Sequence, residues 1–354
     1  MPKILVGGAG GAPSENVIRS LLESGDGDEV IGMGSEPSDL ICSSAKRKYL
    51  VPYAYEKSYK DTLNKLLKRE KPDLIHFQHD IEILEASKLR AGILKTGVKL
   101  FMPCHATIDN CVHKDKSYAI WKAQGVRVPR TILIETAQDL KKAFKALGNK
   151  NGLIWLRATV GGAGKWSLPV KSFKFAKEWI GHFNGWGRFT AAEILTARTV
   201  TWLSIWYEGD LVVAQARRRK SWQFGDRAIS GVTGITKVGE TYSSAAVDRI
   251  AQDAILAIDK NPHGIYGVDM AYDNNNFPNP TEINIARFFT TVYFFTKAGL
   301  NMPKIYKDIA LYNKFPSLKR KINPLPDGLL WVRGMDREPL LLRKNDMEKR
   351  LIKL

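Results

Sequence analysis

Read for the spacing of its apolar residues, the chain changes period repeatedly, and each change predicts a new element. The opening KILVGGAGGAPSENVIRSLLESG is an apolar run, a glycine-rich turn and an amphipathic stretch. This predicts a strand, a loop and a helix with Ser14 as N-cap and Glu15 in its first turn. Short apolar runs at 29–33, 74–77 and 99–102 alternate with helical spacing at 59–69 and 82–95. Strands alternating with helices predict an open parallel sheet with helices on its faces.

The pattern changes near His113. Residues 114–124 read as a basic amphipathic helix stopped by Gly125 and Pro129, and 136–147 as a helix capped by Thr136. GLIWLRATVGGAGKWSLPV then reads as strand, glycine-rich loop and strand, and 189–215 as strand. Helical spacing returns at 246–259 and 302–311. Between these helices, strands at 266–271 and 281–285 are joined through Asp273, Asn274, Asn275 and Asn276, a run of turn formers. From 314 the chain is rich in proline and basic residues and shows no clear period.

The hairpin carries the most pointed chemistry. Asp269 faces Glu282 or Asn284 across it, and Glu282 and Asn284, two residues apart, share one face. Hard oxygen donors grouped in this way suit magnesium, whose remaining ligands are waters and substrate phosphates. The plainer alternative is a hairpin whose polar residues face water. The loop with Gly161, Gly162 and Gly164 joins two strands, which excludes a P-loop; it reads as a flap whose N–H groups close over phosphates, or as an ordinary flexible hairpin.

In ARRRKSWQFGDR, the run Arg217 to Lys220 stands beside Trp222 and Phe224, a mixture found on nucleic-acid surfaces. Strand alternation lets about two of those cations reach any one site. Gly8 to Pro13 looks superficially like a dinucleotide fingerprint with Glu36 as ribose acid, but proline takes the place of the third glycine. Two further groupings, Cys104, His105, Cys111 and His113, and His76, His79 and Asp80, hold metal-ligating residue types without a common zinc spacing.

Composition narrows the classes. The 354 residues are enough for two or three domains, and 54 Lys plus Arg against 36 Asp plus Glu leave a net charge of +18, which attracts anions. Three cysteines make no disulfide framework and agree with a reducing compartment. No apolar run is long enough for a membrane span, so the sequence reads as cytoplasmic.

From residue 3 to about 311 the order of elements resembles the ATP-grasp superfamily, and in detail its carbamoyl-phosphate-synthase-like, carboxylate–amine ligase branch. The most specific part is GVDMAYDNNNFPNPTEIN, similar to that family's acid, turn and Glu-x-Asn pattern. The resemblance implies that Asp269, Glu282 and Asn284 hold one or two Mg2+ ions, with Mn2+ as an allowed substitute, against the β- and γ-phosphates of ATP. It implies phosphate contacts from Lys116 in KDKSYAIW and Arg157 in WLRAT, a flap at Gly161, Gly162 and Gly164, and an adenine hinge at Glu193, Ile194 and Leu195. Arg217 or Arg219 would line the γ-phosphate and acceptor pocket. Two positions depart from the family: Thr199 stands where a ribose-binding glutamate is usual, and Arg287 follows Asn284 by three residues instead of two.

The implied fold is α/β, an N-terminal open parallel sheet (pre-ATP-grasp domain, 1–112) followed by a two-subdomain α+β ATP-grasp domain. The latter spans 113–312, divided into about 113–188 and 189–312, with a basic C-terminal tail at 313–354. The implied activity is an ATP-dependent ligase that activates a small anionic carboxylate as an acyl phosphate for attack by an amine or ammonia. Competing readings are an ATP-grasp kinase or carboxylase, and a non-catalytic nucleotide- or nucleic-acid-binding protein. Basic residues are spread along the chain, which argues against nucleic acid as the chief partner; nothing indicates a membrane, and a homodimer is compatible with the sequence.

Overall fold

The computed structural model describes residues 1–354 except 163, 165, 335–339 and 344–354. The N-terminal unit runs β1 (Lys3–Val6), α1 (Ala12–Leu22), β2 (Glu29–Gly34), α2 (Pro37–Ile41), β3 (Arg47–Leu50), α3 (Tyr59–Glu70), β4 (Leu74–His76), α4 (Asp80–Lys88), α5 (Arg90–Leu94) and α6 (His105–Val112). Its four strands form a parallel sheet in the order β3-β2-β1-β4, as the alternation predicts. The expected strand at 99–102 is reduced to one bridge, Leu74 to Lys99. The expected helix at 82–95 is broken at Leu89 into α4 and α5.

The glycine-rich turn is taken up by packing. Ala9 N–H donates to the carbonyl of Met33 at 2.9 Å, and a Cβ on Gly10 would lie 1.8 Å from the carbonyl oxygen of Asp39, so α2 closes directly on the loop. With Gly10 N–H donating to Glu15 and Gly11 N–H to the carbonyl of Gly8, the loop's donors are already taken, which argues against the dinucleotide reading. Gly11, not Ser14, caps α1; proline in the first turn starts the helix three residues early, and the Ser14 hydroxyl donates to the carbonyl of Gly7 at 2.9 Å.

A second unit follows: α7 (Lys114–Ala123), β5 (Thr131–Ile134), α8 (Ala137–Leu147), β6 (Ile154–Ala158), β7 (Leu168–Val170), α9 (Phe173–His182) and β8 (Phe189–Ala192). Its antiparallel sheet, β5-β8-β6-β7, buries Ile134, Leu156 and Phe189 against Leu140 of α8 and Ile180 of α9. Thr136 caps α8, as its sequence predicts, and the structure adds a reciprocal capping box with Asp139.

The third unit holds β9 (Thr199–Tyr207), β10 (Asp210–Trp222), β11 (Thr236–Thr241), α10 (Ala245–Ile258), β12 (Gly264–Tyr272), β13 (Pro278–Ile285), α11 (Val292–Lys297), α12 (Met302–Tyr312), β14 (Leu329–Val332) and β15 (Leu340–Arg343). Its strands make one antiparallel sheet, β13-β12-β9-β10-β11-β14-β15. The expected tail at 313–354 is therefore corrected for its described part. Residues Leu329–Val332 pair with β11, and Asn323 fixes β10 by donating to the carbonyl of Ala214 and accepting from the N–H of Ala216, both at 2.8 Å. Residues 335–339 and 344–354 of that tail lie outside the described residues. One continuous apolar core runs from Leu5 and Ile31 of the N-terminal sheet to Trp202 and Tyr266 of the large one.

Candidate active site

The floor of the site is the face shared by β9, β10, β12 and β13. Asp269 stands opposite Glu282 on one side and Thr201 on the other; Thr201 in turn faces Arg217, and Thr199 faces Arg219. Directly opposed residues project to the same face, so this register alone gathers two carboxylates, two arginines and two threonines. Asn284 joins them, its amide donating to Asp269 Oδ2 at 3.0 Å, while the Thr201 hydroxyl donates to Asp269 Oδ1. Arg217 Nη2 donates to Thr201 at 2.8 Å and its Nη1 to Thr236; Arg219 donates to Thr236 at 3.0 Å and to Thr199 at 2.9 Å. A Cβ on Gly239 would approach Arg217 Cδ to 2.9 Å, so the bare backbone of β11 lets that arginine lie flat across the sheet.

The N-terminal unit supplies the wall. Gln78, just after β4, pairs with the backbone of Phe288 in both directions, accepting from its N–H at 2.7 Å and donating to its carbonyl at 3.1 Å. Asp80, at the start of α4, accepts from Nε and, at 3.2 Å, from Nη2 of Arg287, and Arg287 also donates to Asn284 Oδ1. Burial opposes the charge of Asp80, but the Arg287 charge and hydrogen bonds outweigh it and hold the carboxyl below its ordinary range. The extra residue before Arg287 is absorbed at Ala286, which is buried with φ of 55°, a left-handed conformation uncommon for alanine. That kink returns Arg287 to Asn284 despite the spacing of three.

The second unit supplies the lid. Lys114, the first residue of α7, donates from its backbone to the carbonyl of Thr159 at 2.9 Å and from Nζ to the carbonyl of Gly161 at 2.6 Å; Nζ lies 3.4 Å from Glu282 Oε2. Arg157 reaches across to the carbonyl of Thr281 at 2.7 Å, and burial pulls its pKa down while Glu282 opposes the shift. Gly161 and Gly164 have φ of 116° and 70°. A Cβ on Gly162 would meet Asp80 Oδ2 at 3.5 Å, and one on Gly164 would meet the carbonyl of Val232 at 2.7 Å, so the loop spans the crevice from α4 to the β10–β11 connection.

Most of the residues singled out from the sequence meet here: Asp269, Glu282, Asn284, Arg157, Gly161, Gly162, Gly164, Thr199, Arg217, Arg219 and Arg287. Lys116 does not join them. It points to Asp109 on α6, and Lys114 two residues earlier fills the place by the flap and Glu282. Glu193 turns to Arg130, accepting at 2.9 Å from both its backbone N–H and its Nε, while no described group accepts from the N–H groups of Ile194 and Leu195. Asp80 and Lys114 were not assigned these roles from the sequence, where Asp80 appears only in the grouping with His76 and His79 and Lys114 only as the first residue of the basic helix. Neither histidine and cysteine grouping gathers: among the described residues no cluster of three or more His, Cys, Asp or Glu is placed to hold a metal. No helix among the described residues is long and apolar enough to cross a membrane.

This arrangement, a parallel sheet walling a crevice between a small antiparallel lid and a large antiparallel floor, is the ATP-grasp fold that the sequence resembles. Solved structures share it. An L-amino acid ligase from Bacillus licheniformis superposes with a TM-score of 0.66 at 13% identity, over 94% of this chain and 79% of that one. N5-carboxyaminoimidazole synthetase from Staphylococcus aureus complexed with ADP gives 0.67 at 16% identity, over 89% and 79%. A biotin carboxylase from Campylobacter jejuni gives 0.69 at 16% identity, over 94% and 75%. No protein-family profile matches the sequence, and no curated protein matches it.

Proposed function

We propose that this protein is an ATP-dependent ligase that joins a carboxylate to an amine or ammonia. The observation carrying this reading is the convergence of Asp269, Glu282 and Asn284 with Arg217 and Arg219 on one sheet face beneath the glycine flap. The donor set fits Mg2+, which takes one or two carboxylates and leaves its other positions to water and phosphates. Asp269 and Glu282 would be the protein ligands. Asn284, its amide on Asp269 and its carbonyl taken by Arg287, orients the first of them. Bound there, the ion would offset charge on the β- and γ-phosphates.

The chain's own residues do the rest. The free N–H groups of Ile194 and Leu195 suit the edge of an adenine, Lys114 and Arg157 neutralise phosphate oxygens, and the flap excludes water. Arg219 and Arg217 then favour transfer of the γ-phosphoryl group to the acid, which gives an acyl phosphate and ADP. The amine attacks the acyl carbon, phosphate leaves, and the nitrogen gives up a proton. The S. aureus enzyme's ADP complex supports the nucleotide assignment.

Hydroxylamine tests the intermediate. With Mg2+, ATP and a panel of amino acids, dicarboxylates and bicarbonate, one acid should give a hydroxamate and ADP in equal amounts. AMP as the nucleotide product would overturn the reading, because adenylation uses the α-phosphate.

A further inference from the structure

The segment after β14 brings a cation to the site that the family resemblance leaves unassigned. Arg333 follows the last residue of β14, and its N–H donates to the carbonyl of Lys237 on β11 at 2.9 Å. Its guanidinium reaches down to the carbonyl of Thr290 at 2.6 Å. The preceding residue, Phe289, lies under the guanidinium of Arg217, 4.8 Å from ring centroid to Cζ, and Arg217 is itself anchored on Thr236, the neighbour of Lys237. Arg333 and Arg217 therefore flank a single turn, Phe289–Thr290, two residues beyond Arg287.

Neither guanidinium has a carboxylate hydrogen-bonded to it among the described residues. Arg217 is 1% exposed and rests on two threonine hydroxyls, and its buried Nε has no acceptor. Burying a cation without a paired anion is costly, and removing one partner of such a pair is penalised by several kcal/mol. Two arginines side by side, neither hydrogen-bonded to a carboxylate among the described residues and one with an unpartnered buried Nε, suit an anion that arrives from outside. Burial pulls both side chains down from their ordinary pKa; at Arg217 the charges of Arg219 and Arg333 add to the shift while Asp269 opposes it, and at Arg333 the charge of Arg19 adds to it. An incoming oxyanion would relieve both effects.

We propose that Arg333 and Arg217 form the receptor for an oxyanion of the acceptor substrate, next to the position of the transferred phosphoryl group. The planar guanidinium fork matches a carboxylate or a phosphate equally, so the shared chemistry is an oxyanion. Through Arg333 the C-terminal segment becomes part of the site. This inference rests on the ligase reading for its substrate, but the receptor can be tested apart from turnover.

The probes are inorganic phosphate and malonate, titrated calorimetrically at constant ionic strength into the full chain, alone and with saturating magnesium and a non-hydrolysable ATP analogue. With the analogue bound, one probe per chain should bind. Arg333→Ala should weaken it about tenfold or more, and Arg333→Lys should recover part of the loss. Lys71→Ala, in an exposed lysine of the N-terminal unit, should leave it unchanged, which separates the receptor from non-specific attraction to a chain of charge +18. Stronger binding of phosphate than malonate identifies a phosphorylated acceptor, and the reverse a carboxylate. Equal binding by the wild type and Arg333→Ala, or no stoichiometric binding of either probe, overturns the receptor. Failure of the analogue itself to bind is read in the same titrations and counts against the ligase reading instead.

Discussion

Two buried groups at the wall of the crevice should hide one another's effect on stability. Glu82, in the first turn of α4, accepts from the Tyr59 hydroxyl at 2.9 Å, and its Oε2 lies buried against Gly7 without a hydrogen-bond partner. Burial raises its pKa from 4.5 to about 7. His76, at the end of β4, is buried beside Gln78, and burial lowers its pKa from 6.5 to about 4, against the raising effect of Gln78.

The signs are opposite. The folded state favours the protonated Glu82, so that contribution is full below pH 4.5 and is lost as pH rises to about 7. It favours the neutral His76, so that contribution is full above pH 6.5 and is lost as pH falls to about 4. Each amounts to about 3 kcal/mol. Between pH 4.5 and 6.5 the two slopes cancel, and the pair contributes little change.

Glu82→Gln removes one slope. Equilibrium urea unfolding across pH 4 to 7.5 should show the variant gaining about 3 kcal/mol relative to the wild type as pH rises through the Glu82 range. The other titrating groups are common to both proteins and drop out of the difference. Parallel pH profiles for the two would refute the reasoning, whatever the constant offset from the altered side chain.

Two further substitutions test the frame of the site. Asp80→Ala leaves the part-buried Arg287 without its carboxylate and should cost about 1.5–3 kcal/mol in urea unfolding, more than an exposed ion pair; a loss under about 0.5 kcal/mol would contradict the pairing. Ala286→Val puts a β-branched side chain into the left-handed position and should cost about 1–3 kcal/mol in backbone strain alone. A variant as stable as the wild type would mean that the kink does not set Arg287.

Local pattern made the hairpin readable. Asp273 to Asn276 form the turn, and the period of two on either side placed Asp269, Glu282 and Asn284 on one face, where β12 and β13 hold them. The strand, glycine-rich loop and strand around Gly161 to Gly164 were readable for a similar reason, although the glycines alone left a flap and an ordinary hairpin equally open. Contacts distant in sequence were not. Asp80 lies 207 residues from Arg287, and nothing near it distinguishes a part-buried ion-pair partner from the metal-ligand candidate it resembles. Lys114 and Lys116 both begin a basic helix; only the packing of α7 on Thr159 decides that the first faces the flap. The last strands were hidden because β14 has only four residues and gains its place by pairing with β11, some 90 positions earlier.

If Asp269 and Glu282 present magnesium to the phosphates of a bound nucleotide, calorimetric titration with ATP will show it. In the presence of Mg2+ the wild type should bind one nucleotide per chain. Glu282→Gln should weaken that binding about tenfold or more, with no change in the weaker binding seen without the ion. Absence of binding heat in the wild type, or the same affinity for both proteins with and without Mg2+, would contradict the account.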